Sequence, residues 1–212
     1  MKRPLRAVLY DWDGTLVDSA ETSFRCYQGV FNAFGISFER ADFERTYAPD
    51  WYRTYVSMGL RRERWAEADA AWLEHYRRQR SGLVPGAREA LTRVSESRRA
   101  QGLVSSGDAG RVRREMASLG VEGFFAAVVC GGETTERKPD PAPLLLALRH
   151  LGVAPAEAAY VGDSPEDVEM ARAAGVFSVG VPGPFPNREA LLAAAPDVVA
   201  GSLGAAVERL VR

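Results

Sequence analysis

The sequence predicts an α/β fold: a three-layer parallel β-sheet with helices on both faces, interrupted near its start by a small all-helical insert. Three observations carry that prediction. Short apolar runs rich in β-formers alternate with helical patterns from residue 86 to the end, and strand–helix alternation of this kind builds a parallel sheet. The first run, "LRAVLYD" (5–11), is apolar almost throughout, as suits a strand buried on both faces. Between residues 37 and 81 the pattern is helical only.

The elements follow in order. After the strand at 5–11 comes an acidic turn, and Asp18 or Ser19 can cap a helix through "ETSFRCYQGVFNAF" (21–34), ended by "GIS". "FERADFERTYA", "DWYRTYVSMG" and "RRERWAEADAAWLEHYRRQRS" supply further helices, and "GLVPG" (82–86) closes the insert with turn chemistry. A helix over "AREALTRVSES" precedes the strand "QGLVSS" (101–106). The helix "AGRVRREMASLG", the strand "FAAVVCG" (125–131) and the helix "PAPLLLALRHLG" come next. The strand "AAYVGD" (158–163) leads to the helix "SPEDVEMARAAG". The strand "VFSVGV" (176–181), the loop "PGPFPN" and a short helix follow, and "DVVAG" (197–201) and "SLGAAVERLV" end the chain. The expected division is a discontinuous core, residues 1–16 and 82–212, with a helical cap at 17–81.

Composition narrows the function classes. The chain has 212 residues, 46% hydrophobic and 26% charged, a soluble globular composition with enough length to bury a core. Its net charge is −1 and its basic clusters, "RRER" and "RRQR", are short. They read as solvated helix faces, so no nucleic-acid partner is expected. Cys26 and Cys130 lack metal or redox spacing and read as buried small hydrophobes. "MKRPLRAVLYD" holds an apolar run too short for a secretory signal. No segment approaches the roughly 18 apolar residues of a membrane helix. A cytoplasmic protein without a membrane partner is expected. Of the 27 basic residues, the only lysines are Lys2 and Lys138, so an internal lysine calls for a reason.

In an open parallel sheet, ligands bind beyond the carboxyl ends of the strands. The polar residues predicted there are Asp11 and Asp13, then Ser105, Ser106 and Gly107, then Gly162, Asp163 and Asp167. Lys138, in "ERKPDPAP", joins the same edge. Singly, each has an ordinary reading: a strand-end Asp caps a helix, Ser105 caps or packs, Lys138 is solvated. Their gathering on one edge is what points to chemistry.

"DWDGT", "VSSG", "RKP" and "GDSPED", in that order, resemble the four motifs of the haloacid dehalogenase superfamily. The helical insert after the first motif is similar to that superfamily's C1 cap, and the nearest likeness within it is to phosphoglycolate-phosphatase-like hydrolases. The resemblance implies a Rossmannoid catalytic core and a Mg²⁺-dependent phosphatase acting on a small phosphorylated metabolite, phosphoglycolate first among candidates.

Chemistry supports these roles. A phosphate monoester is nearly a dianion, so a carboxylate attacking it needs neutralisation and positioning. Mg²⁺ takes hard oxygen ligands: Asp11 and Asp163 by their side chains, Asp13 by its backbone carbonyl as the resemblance implies, and Asp167 directly or through water. Asp11 is then the nucleophile that forms an aspartyl-phosphate. Asp13, two residues on and pointing the same way, is the general acid and then the base. Lys138 adds a compact charge with rotatable donors, which a fork-shaped guanidinium would not match. Ser105, with backbone N–H groups around Trp12 to Gly14 and Ser106, holds the phosphoryl oxygens, and Gly14 and Gly107 leave room for close approach.

Asp13 favours an alkoxide leaving group over a halide, which needs no proton. The cap has no lysine, unlike the phosphonatases that the pattern also resembles. A sugar phosphomutase, a pyrophosphatase or a nucleotide phosphatase shares the same chemistry. A phospho-accepting receiver-like module fits less well, because it has neither the insert nor an acid at the position of Asp13. Over the site, Arg45, Tyr47, Trp51, Tyr52 and Arg53 surround a break at "APD" (48–50) and are candidates to read the substrate. Trp65 and Trp72, seven apart on one helix face, read as packing, and His75 and His150 as surface or helix-end residues.

Overall fold

The structure, a computed structural model, describes residues 4–212. Lys2 and the first residues of the N-terminal stretch lie outside the described part. The chain begins with strand β1 (Ala7–Tyr10) and a short β2 (Val17–Asp18), followed by α1 (Ala20–Ala33), α2 (Arg40–Thr46), α3 (Trp51–Ser57) and α4 (Trp65–Arg77). Then come β3 (Gly82–Leu83), α5 (Ala87–Glu96), β4 (Ala100–Asp108), α6 (Ala109–Leu119), β5 (Ala127–Gly131) and α7 (Ala142–Leu151). The chain ends through β6 (Ala158–Gly162), α8 (Pro165–Ala174), β7 (Phe177–Gly180), α9 (Arg188–Ala193), β8 (Val198–Val199) and α10 (Leu203–Val211).

Six strands form one sheet in the order β5-β4-β1-β6-β7-β8, and every pair in it is parallel. This is the α/β architecture the alternation predicts: the five predicted strands are in place, and "DVVAG", left without an assignment by the sequence, supplies the edge strand β8. β1 lies between β4 and β6 and alternates its side chains between two cores. Val8 and Tyr10 pack with α5, α6 and α10. Ala7 and Leu9 pack with α7 and α8. A strand covered on both sides in this way has no polar face, which is why its sequence shows none.

The strand order reverses between β1 and β6, and such a reversal opens a crevice at the carboxyl ends of the two strands. Asp11 follows β1 and Asp163 follows β6, so the crevice has a carboxylate on each wall.

The helices α1 to α4 stand between β2 and β3. These two-residue strands pair antiparallel, Val17 opposite Leu83 and Asp18 opposite Gly82. The sequence reads residues 82–86 as a turn; the pairing partners, Leu83 with Val17 and Gly82 with Asp18, are 66 and 64 residues apart in the chain, beyond any local pattern. The inserted helices have an aromatic core of their own, built on Phe24, Tyr27, Phe31, Phe38, Phe43 and Tyr55. Phe185, from the loop after β7, joins it and stacks on Tyr47 with ring centroids 4.5 Å apart. Cys26 and Cys130 are buried and free. Among the described residues no helix is long and apolar enough to cross a membrane.

Candidate active site

Lys138 reaches the crevice from the loop between β5 and α7. Its ammonium donates to Asp11 Oδ1 at 2.5 Å, Asp167 Oδ1 at 2.7 Å and the Tyr160 hydroxyl at 2.7 Å. An ammonium has three donors, and all three have acceptors here. Tyr160, on β6, donates its own hydrogen bond to the Val104 carbonyl at 2.9 Å, so the lysine is fixed from both neighbouring strands. Burial opposes the charge on Lys138, but Asp11 and then Asp167 outweigh it and raise the ammonium's pKa.

Asp167 sits in the first turn of α8. Its Oδ2 accepts from the Ser164 N–H at 3.1 Å and the Ser164 hydroxyl at 2.8 Å, and Ser164 in turn caps the helix. Gly162 makes this close approach possible, because a Cβ there would lie 2.4 Å from Asp167 Cγ.

Asp11, Asp163 and Asp167 are all buried, and each can bring one oxygen within 4.8 Å of the others. Asp163 accepts from the Thr15 hydroxyl at 2.9 Å. Burial first, then the charges of Asp11 and Asp167, push the Asp163 carboxyl well above the usual range. Burial likewise pushes Asp11 up to about 7, with Lys138 opposing and Asp167 adding to the rise. One ammonium among three buried carboxylates leaves an excess of negative charge. A buried all-oxygen cluster of this kind suits a hard divalent cation such as Mg²⁺. Gly14 belongs to this wall: its φ is +88° and a Cβ would lie 2.3 Å from Asp163 Oδ2.

Asp13 is held on the other side. Arg111 Nη1 donates to its Oδ1 at 3.0 Å and Nη2 to its Oδ2 at 2.5 Å, while the Ser19 hydroxyl donates to Oδ1 at 2.8 Å. Burial disfavours the carboxylate, but Arg111's charge and hydrogen bonds, then Ser19, outweigh it and hold the carboxyl below its ordinary range. Ser19 does occupy the N-cap position of α1, yet its hydroxyl makes no capping bond. It serves Asp13 instead.

A cavity of about 330 Å³ lies between the strand ends and the inserted helices. Of the residues expected at the site, Asp11, Asp13, Ser105 and Ser106 line it, as do Gly107, Lys138 and Asp163. Trp12, Gly14 and Asp167 stand behind its wall. Trp12 is fully buried and its indole N–H donates to Glu115 Oε2 at 3.0 Å. Ser105 Oγ accepts the Gly107 N–H at 3.0 Å, which leaves the hydroxyl proton for an anionic oxygen. The Gly14 N–H donates to the Val17 carbonyl at 2.8 Å. The two glycines thus have their N–H groups engaged within their own loops. What Gly107 leaves room for is a side chain: a Cβ there would lie 2.0 Å from Arg111 Nη2.

On the side of the insert, Tyr47 and Trp51 line the cavity. Tyr52 stands behind Trp51, stacked on Trp65 at 4.5 Å. Arg45 pairs with Asp42 and Arg53 is exposed, both away from the cavity. Trp65 packs as its spacing predicts, whereas Trp72 both packs and lines the cavity. His75, in the last turn of α4, is pressed onto Gly29, where a Cβ would meet its ring at 2.6 Å. His150 is exposed in the last turn of α7.

Sequence reasoning passed over Arg111, Tyr160, Thr15, Arg137 and Phe185. Arg111 had a readable signal. It and Glu115 stand at i and i+4 directly beside Val112 and Met116, the buried stripe of α6, and charges bordering an apolar stripe are candidates for burial. Arg137 lies with its guanidinium 4.7 Å from the Trp51 ring and lines the cavity. Its signal was only its place beside Lys138.

With this geometry in hand, comparison decides the family. The sequence model of the haloacid dehalogenase-like hydrolases matches residues 8–181. The chain belongs to the haloacid dehalogenase-like hydrolase family. It is 30% identical over 185 residues to a phosphoglycolate phosphatase of Nitrosococcus oceani, covering 82% of each chain. It is also 30% identical over 184 residues to an N-acetylmuramic acid 6-phosphate phosphatase of Pseudomonas putida, covering 84% of this chain and 82% of that one. In fold it matches the crystal structure of a predicted phosphoglycolate phosphatase from Haemophilus somnus 129pt, with a TM-score of 0.87 at 19% identity and 99% of each chain covered. The chain is an enzyme, a hydrolase of the phosphatase kind.

Proposed function

We propose that this family member is a Mg²⁺-dependent phosphatase that hydrolyses a small phosphorylated metabolite through an aspartyl-phosphate on Asp11. One observation carries the reading: Lys138 is bonded to Asp11 and Asp167 inside a buried cluster of three acids. Asp11 and Asp163 would hold the ion by their side chains, with the Asp13 carbonyl. Asp167 has Oδ1 engaged by Lys138 and Oδ2 by Ser164, which favours a part played through water. Bound there, Mg²⁺ supplies positive charge that offsets the repulsion between a carboxylate and a phosphate dianion.

The chain's own residues do the rest. Lys138 and the Ser105 hydroxyl receive the phosphoryl oxygens. Asp11 attacks phosphorus as the ester P–O bond breaks, and Asp13, ionised beside Arg111 in the free protein, first takes up the proton that a monoanionic ester brings and then gives it to the departing alkoxide. Asp13 then takes a proton from water, whose oxygen attacks phosphorus, releasing inorganic phosphate and freeing Asp11. The inserted helices act as a lid over this site, with the β2–β3 ribbon as its hinge.

Two substrate classes fit the cavity. Phosphoglycolate carries a carboxylate, and Arg137 is a cavity-lining cation with no ion pair to a described residue. A phosphorylated sugar is favoured by the aromatic walls that Tyr27, Trp51 and Trp72 provide. The test is turnover of p-nitrophenyl phosphate and a metabolite panel with and without Mg²⁺. Wild-type protein turns over only with the ion, and Asp11→Asn is inactive. Full activity of Asp11→Asn would remove the nucleophile assignment.

A further inference from the structure

Arg111 is a charged side chain only 4% exposed, and the phosphatase chemistry above makes no use of it. It comes from α6 of the core, yet its surroundings belong to three parts of the chain. Two of its nitrogens grip Asp13, at 3.0 and 2.5 Å, and Nη1 also donates to Glu115 Oε2 at 2.9 Å. The guanidinium lies 4.8 Å from the ring of Tyr76 and 5.8 Å from that of Trp72, both on α4 of the insert. Glu115 closes the circuit: its Oε1 accepts from the Tyr76 hydroxyl at 2.8 Å and its Oε2 from the Trp12 indole at 3.0 Å. Gly107 gives this guanidinium its space.

We infer that Arg111 is the positioning residue for Asp13: its fork sets where the Asp13 carboxyl stands against the leaving group, and Glu115 and Tyr76 tie that setting to the inserted helices. The inference rests on Asp13 as the acid and base of the reaction. A bidentate guanidinium–carboxylate pair fixes a carboxyl in plane and direction as a single donor does not. Proton transfer to an alkoxide requires that direction. Expulsion of p-nitrophenolate, a stable anion, does not.

The test compares kcat/KM for an alkyl phosphate and for p-nitrophenyl phosphate, in Mg²⁺, with Arg111→Met, Arg111→Lys and Asp13→Asn. Arg111→Met should lose roughly 10²-fold on the alkyl ester and at least about tenfold less on the aryl ester. It should also show a burst of p-nitrophenolate, because water activation at Asp11 is slowed as well. Arg111→Lys, which keeps a buried cation and so protects the fold, should show the same selectivity in weaker form. Equal losses on both esters, or no loss, in the folded Arg111→Lys variant would overturn the inference. Absence of leaving-group selectivity in Asp13→Asn itself would instead remove the acid assignment beneath it.

Discussion

Lys138 Nζ and Asp11 Oδ1 stand 2.5 Å apart, both side chains nearly sealed from solvent. They stand 127 residues apart in the chain. This contact joins the general architecture to the chemistry. The sheet brings the end of β1 to the crevice, and the loop after β5 folds across it to deliver the chain's one internal lysine.

Lys138→Arg should lower kcat by about 10²-fold or more, although charge is kept. The three acceptors around the ammonium lie in different directions, and a planar fork presents its donors in one plane. Steady-state kinetics with unchanged circular dichroism checks this.

The metal-free protein should lose stability as pH rises, and Asp11 gives the sign. Its folded carboxyl holds a proton up to about 7, against roughly 4 in an unfolded chain. The folded state therefore binds more protons between these values. The stability this lends is fully present below the unfolded value and is lost as pH rises through about 7. In chelator at about pH 8, Asp11→Asn should melt higher than wild type, by about 2–4 °C for each kcal/mol relieved. Thermal melts across the pH range measure it, and a lower melting temperature for Asp11→Asn at high pH would contradict it.

Mg²⁺ should raise the melting temperature of wild-type protein, and Asp163→Asn should abolish most of that rise. The gain grows with the logarithm of ion concentration, about 2.7 kcal/mol at a hundredfold excess over Kd. Calorimetric titration of the Asp163→Asn variant gives the complementary reading.

Gly107→Ala should act at a distance from its own position. The new methyl falls 2.0 Å from Arg111 Nη2, so either the guanidinium leaves Asp13 or the loop shifts. A stability loss of about 1–3 kcal/mol is expected from the overpacking. The variant should also show the alkyl-selective activity loss of the Arg111 variants, which denaturant melts and paired kinetics can separate.

The aromatic wall of the cavity hangs on Asp69. It accepts from the Trp51 indole at 2.9 Å and from the hydroxyls of Tyr52 at 3.0 Å and Tyr55 at 3.1 Å. Asp69→Ala leaves these donors without their acceptor, at about 1–3 kcal/mol for each group that stays buried and unpaired. Its KM for the preferred metabolite should rise roughly tenfold or more, by analogy with the loss of about 1–3 kcal/mol of binding. A kcat reduced in the same proportion would contradict a role confined to substrate fit.

Much of this was legible in sequence because it depends on local pattern. Five of the six strands showed as apolar runs, and Asp11, Asp13, Asp163 and Lys138 could be placed on one edge by strand ends alone. What was hidden depends on contacts between distant segments. Arg111 borders the apolar stripe of α6 beside Glu115, which marks it for burial, but only the approach of α6 to "DWDGT" and to α4 gives it Asp13 and Tyr76 as neighbours. Ser19 looks like a helix cap, since nothing local reveals that Asp13 folds back to meet it. Gly107 looks like a backbone approach to phosphate until the Arg111 side chain fills its space. Trp72 has the spacing of a core residue, and lining a cavity adds no mark to that spacing.

The central claim is that Asp11 takes the phosphoryl group. It is tested most directly by acid-quenching Asp13→Asn during turnover of ³²P-labelled p-nitrophenyl phosphate, whose leaving group needs no acid, with Mg²⁺, then mapping the label by peptide. Slow water activation in this variant should let the phospho-enzyme accumulate, with label on the peptide containing Asp11 and none in Asp11→Asn. Label on another residue, or turnover of the ester with no covalent label at any quench time, would contradict the account.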